Sequence, residues 1–151
     1  MLEKLNKKSI KYKLRRKTLE NLKGTLGLKG EGIEDSPVII DDLGDVCVEF
    51  SIKTKEIYLV LKNLNVSRLL ILDSQNIVIE NCLVGNLEMV RCRNLTFRNN
   101  SIITAKQLLC KSCLFENNSV LQKKSNERWS GKGYLEKHKR SDFPILLFEQ
   151  E

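Results

Sequence analysis

A chain of 151 residues, 41% hydrophobic and 30% charged, is one domain by length and can bury a real core. It holds no apolar run near the ~18 residues that a membrane-spanning helix needs and no apolar stretch of signal-peptide type at its start, so a cytoplasmic location is expected. The formal charge of +7 is concentrated at one end, because residues 1–24 hold nine Lys or Arg and two Glu while the rest of the chain sums to zero.

The first predicted element is the basic arm, residues 1–24. Within "KLNKKSIKYKLRRKTLENLK", residues 4–23, Leu5, Tyr12 and Leu19 recur at seven-residue steps with Leu2 and Leu22 nearby. That stripe predicts an amphipathic helix, whose use would be to cap an open end of the fold. Its other side carries Lys7, Lys8, Lys11, Lys13, Arg15, Arg16 and Lys17. A cap explains the leucines, but a charge block of this density points to an anionic partner.

Residues 30–42, "GEGIEDSPVIIDD", place two glycines and a proline ahead of a short apolar run. Asp41, Asp42 and Asp45 form the densest acidic cluster, read as a solvated turn rather than a cation site.

The repeat follows. Residues 58–66 (YLVLKNLNV), 76–84 (NIVIENCLV), 94–102 (NLTFRNNSI) and 112–120 (SCLFENNSV) are four copies at an 18-residue step, and a fixed period of this kind means stacked equivalent units. In register, Leu59, Ile77, Leu95 and Cys113 form one column, Leu61, Ile79, Phe97 and Phe115 a second, and Val66, Val84, Ile102 and Val120 a third. The first two lie two residues apart, as inward positions on a strand do, and Val60, Val78, Thr96 and Leu114 between them should face outward. Leu69, Leu87 and Ala105, then Leu72, Val90 and Leu108, continue each unit, giving about three short β segments per turn.

Two polar columns complete the unit. Asn63, Asn81, Asn99 and Asn117 suit a sharp bend, since Asn tolerates the left-handed backbone region, and at a strand spacing of ~4.8 Å their amides are expected to bond along the stack. Lys62, Glu80, Arg98 and Glu116 alternate in sign, which an in-register parallel coil favours. Asp73 and Arg91, also 18 residues apart, are expected to form another surface pair.

Five cysteines, odd in number and scattered, fit a reducing compartment. Cys110 and Cys113 form a single CxxC, with Cys92 one repeat earlier. A zinc site takes four ligands, and the one histidine, His138, lies outside the repeat, so Ser74, Cys92 and Cys110 read as a column of small buried side chains. Neither metal nor cofactor is expected.

The last predicted element is the segment 122–151. Its first part interleaves Lys123, Lys124, Arg128, Lys132, Lys137, Lys139 and Arg140 with Trp129 and Tyr134, a composition suited to phosphate attraction and base stacking, although Trp129 would equally cover the coil's end. "FPILLFEQE" reads as a final capping strand on an edge or along the Val60 column.

The repeats resemble those of the right-handed parallel β-helix of pectate-lyase type, and the GEGIEDSPVIIDD segment is similar to the lead-in before the first rung of such proteins. Weaker likenesses are to the β-helix of tubulin-cofactor C and cyclase-associated proteins and to bactofilins. The resemblance implies an all-β chain: a short right-handed single-stranded parallel β-helix of about four to five rungs over residues 25–121. Catalytic relatives would carry paired outward carboxylates, which these columns lack, and no catalytic residue is expected. The expected function is a non-catalytic scaffold whose basic arms dock on an acidic macromolecule, RNA or a ribonucleoprotein. A carbohydrate-binding or carbohydrate-acting module and a self-assembling, cytoskeletal-type coil are the alternatives.

Overall fold

The computed structural model describes residues 9–124. In chain order these form β1 (Ser9–Arg15), α1 (Arg16–Leu26), β2 (Val38–Asp41), β3 (Cys47–Lys53), β4 (Leu59–Lys62), β5 (Asn65–Leu72), β6 (Gln75–Glu80), β7 (Leu83–Val90), β8 (Arg93–Arg98), β9 (Ser101–Leu108), β10 (Leu114–Glu116) and β11 (Ser119–Lys124). Two sheets result, ordered β1-β3-β5-β7-β9-β11 and β2-β4-β6-β8-β10. All pairings between named strands are parallel, and from β2 onward successive strands alternate between the sheets, so the chain winds as a β-solenoid of about five turns. Six strands at a spacing of ~4.8 Å make the coil ~24 Å tall.

The repeat dictates the core. Leu59, Ile77 and Leu95 pair directly, as do Leu61, Ile79, Phe97 and Phe115, and Val66, Val84, Ile102 and Val120, and all are buried. Each buried Val, Leu, Ile or Phe contributes about 1.5–3 kcal/mol, and stacking identical positions repeats that gain rung after rung. Phe97 and Phe115 lie face to face, centroids 4.6 Å apart and 3° from parallel. Val60, Val78, Thr96 and Leu114 remain half-buried on the outside of the smaller sheet. Farther along the unit the inward residue after Leu69, Leu87 and Ala105 is Ile71, Met89 or Gln107, two positions on as strand alternation requires. Leu72, Val90 and Leu108 therefore face outward, half-buried.

The corners need left-handed backbone, and the sequence supplies it at three points per turn. Asn63, Asn81, Asn99 and Asn117 have φ of 56°, 53°, 54° and 55°; Asp73, Arg91 and Leu109 have 46°, 51° and 57°; Asn76, Asn94 and Ser112 have 64°, 55° and 55°. Asn and Asp accept this region readily, whereas Leu109 is costly there. Backbone bonds carry the ladder around the bend, Asn81 N to Arg98 O at 3.0 Å and Arg91 N to Leu108 O at 2.9 Å.

The amide ladder differs from the expected one by a single residue. Asn63, Asn81, Asn99 and Asn117 set the bend but are exposed. The buried amides are Asn100 and Asn118, in the column of Leu64 and Cys82. Asn100 Oδ1 accepts from Cys82 N at 2.9 Å, and Asn100 Nδ2 donates to Ile79 O and to Asn118 Oδ1, each at 2.9 Å. Asn118 Oδ1 also accepts from Asn100 N at 3.0 Å, and its Nδ2 donates to Phe97 O at 2.9 Å. The left-handed residue turns its own side chain to solvent, so the residue after it points in.

The basic arm is corrected more deeply. Residues 9–15 are not helical: β1 lies parallel on β3, with Ile10 opposite Val48, Tyr12 opposite Phe50 and Leu14 opposite Ile52. The stretch IKYKLR alternates apolar and basic, and the open edge of β3 offers it backbone partners that a helix would leave unpaired. The helix begins only at Arg16. Arg15 N donates to Thr18 Oγ1 at 2.9 Å at its start, and Gly27, with φ 65°, closes its end as Leu28 N donates to Lys23 O at 2.9 Å. Leu19 is buried and Leu22 packs against the core, so α1 caps the coil as a shorter helix than the stripe predicts.

The lead-in is fixed by Gly30, φ 103°, where a Cβ would lie 1.8 Å from the carbonyl oxygen of Pro37. It delivers the chain into β2, the first strand of the smaller sheet.

Candidate anion-binding face

Because β1 is a strand, Lys11, Lys13 and Arg15 fall on alternate positions and share one outward face, ~6.7 Å between successive members. Their neighbours on β3 are Glu49, Ser51 and Lys53. Arg15 is held by a fork of bonds, Nη1 to Ser51 O at 2.7 Å and Nη2 to Ser51 Oγ at 3.2 Å. Its direct cross-strand partner is Lys53. Like charges in that position destabilise by about 0.2–1 kcal/mol, so the pairing opposes folding and concentrates positive potential at this end of the sheet.

The face continues across the start of α1. Lys17 is exposed, and Arg16 Nη1 bonds Glu56 Oε2 at 2.5 Å. Arg16, Lys53, Thr54, Lys55, Glu56 and Asp73 line a hollow of about 250 Å³. Asp73 is engaged by Arg91, whose Nε and Nη2 reach its two oxygens at 2.6 and 3.2 Å, the surface pair expected from the sequence. This bond holds the Asp73 carboxyl below its ordinary value of 3.8, with Arg91, Lys53 and Lys55 adding Coulomb attraction. A lowered carboxyl stabilises the fold above its unfolded value and loses that contribution as pH falls through the folded one. Asp73→Asn is therefore expected to lower the urea midpoint at pH 7 and leave it equal to the parent's once the pH is well below 3.8.

Elsewhere three more outward carboxylates are each matched with a base. Asp41 pairs with Lys62 at 3.8 Å, Glu88 with Arg68 at 3.9 Å and Glu116 with Arg98 at 3.5 Å. An open groove of about 760 Å³ runs along the Asn63, Asn81 and Asn99 corner, with Asp42 and Asp45 at one end. Asp41 Oδ1 accepts from Asn63 Nδ2 at 2.8 Å, and Asp42 Oδ1 accepts from Gly44 N at 3.1 Å. Among the described residues no group of three His, Cys, Asp or Glu is placed to hold a metal ion, and no helix is long and apolar enough to cross a membrane.

Of the residues singled out in the sequence, Lys11, Lys13, Arg15, Arg16 and Lys17 are brought to one end of the coil. Lys123 and Lys124 belong to β11, at the opposite edge of the larger sheet, where Lys124 is in register with Lys106. Lys7, Lys8, Arg128, Trp129, Lys132, Tyr134, Lys137, Lys139 and Arg140 lie outside the described residues, as do the final strand and His138. Lys53 and Lys55 are the members that sequence reading missed. The alternation of IKYKLR signals a strand, but Arg15 comes beside Lys53 only through that strand's register on β3.

No protein family, no curated protein and no solved structure matched this chain on comparison.

Proposed function

We propose that this solenoid is a non-catalytic scaffold that docks an acidic macromolecule, RNA alone or in a ribonucleoprotein, through the basic end of its larger sheet. One observation carries the reading: Lys11, Lys13 and Arg15 in a row on β1, extended by Lys53 beside Arg15 and offset by Glu49 beside Lys11 alone. A rigid row of cations at strand spacing suits an extended phosphate backbone. Three outward carboxylates, Asp41, Glu88 and Glu116, are each matched with a base, which supports a non-catalytic reading. The odd number of scattered cysteines makes a reducing compartment part of this reading.

Deleting the arm is a poor test, because it would strip β3 of its partner strand and expose the core around Ile52. The substitution Lys11→Ser, Lys13→Ser, Lys53→Ser touches only outward positions. For single-stranded RNA the slope of log K against log salt is expected to flatten by about 0.7 for each phosphate no longer neutralised, about 2 in all. A parent whose weak binding is independent of salt, or a triple variant that binds as the parent does, overturns the docking reading.

The resemblance to pectate-lyase-type coils supports a second reading, in which the polar groove beside Asn63, Asn81 and Asn99 takes a sugar chain. Glycan binding abolished by Asn81→Trp but untouched by the lysine changes would favour it. The cytoskeletal-type alternative requires a mass that grows with concentration.

A further inference from the structure

Three thiols meet at the corner that leads into β10, at the edge of the smaller sheet farthest from the basic end. Cys92 and Cys110 each follow a left-handed corner residue, Arg91 and Leu109, one rung apart. Their rungs are tied by the bond from Lys111 N to Cys92 O at 2.9 Å. Ser112, with φ 55°, then turns the chain back so that Cys113 enters the core at 3% exposure. The sulfur of Cys110 lies within hydrogen-bonding reach of both Cys92 and Cys113. While all three are neutral each thiol has a carbonyl acceptor, Ile71 O at 3.2 Å or Val90 O at 3.3 Å for Cys92 Sγ, Leu108 O at 3.5 Å for Cys110 Sγ and Lys111 O at 3.5 Å for Cys113 Sγ. Cys92 and Cys113 are buried, while Cys110 is half-exposed, flanked by the exposed Leu109 and Lys111.

The chemistry of such a cluster is asymmetric. When one thiol ionises, the other two can swing their single protons from these carbonyls to it, and the charge settles on the sulfur that both neighbours reach. Cys113 and Cys92 hold the Cys110 thiol well below its ordinary value of 9.0 in this way, and their own thiols are pushed up by their bonds to Cys110 and by burial. Cys82 lacks such donors, and burial pushes it up to about 11. A thiolate, partly exposed and next to a second thiol, is what reaction with a peroxide requires.

We propose that Cys110 is a hydroperoxide-reactive thiol with Cys113 as its resolving partner, the two closing a disulfide across the CxxC turn on oxidation. The Cys110 thiolate attacks the terminal oxygen of a hydroperoxide ROOH and the O–O bond breaks. Cys110 becomes a sulfenic acid, and the alkoxide leaves as ROH after taking a proton from water. The sulfur of Cys113 then gives up its proton and attacks the Cys110 sulfur. The S–O bond breaks, the expelled hydroxide leaves with that proton as water, and two electrons have passed from the two thiols to the peroxide. Cys92 does not enter the bond: it donates to Cys110 and positions the thiolate.

The full chain treated with hydrogen peroxide and mapped by mass spectrometry tests this. Free thiols are expected to fall from five to three, with Cys110 linked to Cys113 within one chain. In Cys113→Ser the sulfenic acid should persist on Cys110 and be trapped by dimedone. Should that variant fail to fold, the parent alone decides: iodoacetamide at pH 6.5 is expected to alkylate Cys110 at least about tenfold faster than Cys47 or Cys82. Cys110 alkylated no faster than those two, five thiols surviving peroxide, or a bridge that maps to Cys92 or between chains would each overturn the assignment.

Discussion

Asn100→Ala is expected to destabilise the coil by about 3 kcal/mol, because it withdraws an amide that three buried groups use. Cys82 N loses its acceptor, while Ile79 O and Asn118 Oδ1 each lose a donor. Asn118 Oδ1 keeps its bond from Asn100 N, so the uncompensated losses fall on Cys82 and Ile79. An unsatisfied buried polar group costs about 1–3 kcal/mol. The paired control is Asn99→Gly, one residue away. Asn99 is exposed and has φ 54°, a conformation glycine adopts freely, so the change is expected to stay within about 1 kcal/mol. Urea midpoints at unchanged m-value measure both. If Asn99→Gly proves the more damaging of the two, the exposed column carries the ladder and the placement of the buried amides is wrong.

That pair of substitutions also marks the boundary of what the sequence could say. The 18-residue columns reveal the inward aliphatic stacks, because a period of two on each strand and a fixed step between strands are direct consequences of parallel pairing. The asparagine column was equally visible, but its role was not. Asn99 and Asn100 are adjacent and chemically identical, and only the handedness of the backbone at the corner decides which amide turns inward. Cys82 in the inward column obscured the pattern further, since the column reads Leu64, Cys82, Asn100, Asn118 and looks mixed.

The basic end was legible as charge and misread as shape. A seven-residue leucine and tyrosine stripe competed with a two-residue alternation over the same residues, and the edge of β3, which no local pattern announces, settled the contest in favour of the strand. With that strand came the candidate site. Lys53 is distant in sequence from Arg15 and joins it only through the register of β1 on β3, while Lys55 follows into the hollow beside Arg16. The charge pairs Asp73 with Arg91 and Arg98 with Glu116 needed no such step, because each member lies 18 residues from its partner and the repeat itself places them.

Phe97→Ala should cost about 4–5 kcal/mol and is the substitution most able to divide the coil. Truncating a fully buried Phe costs about 3–5 kcal/mol where the surroundings cannot collapse, and loss of a ring pair adds about 0.5–1.5 kcal/mol. Collapse is hindered here because Ile79 above and Phe115 below are held at strand spacing by their own backbone ladders. In a stacked architecture each unit is stabilised mainly by its neighbours, so the damage should be directional. Amides of β10 and β11 are expected to exchange with solvent through an opening made easier by about the full cost of the substitution, while β3 to β5 retain most of their protection. A uniform loss of protection from β3 to β11 would mean that the rungs unfold as one unit, and that Phe97 and Phe115 do not form the joint between the last turn and the rest.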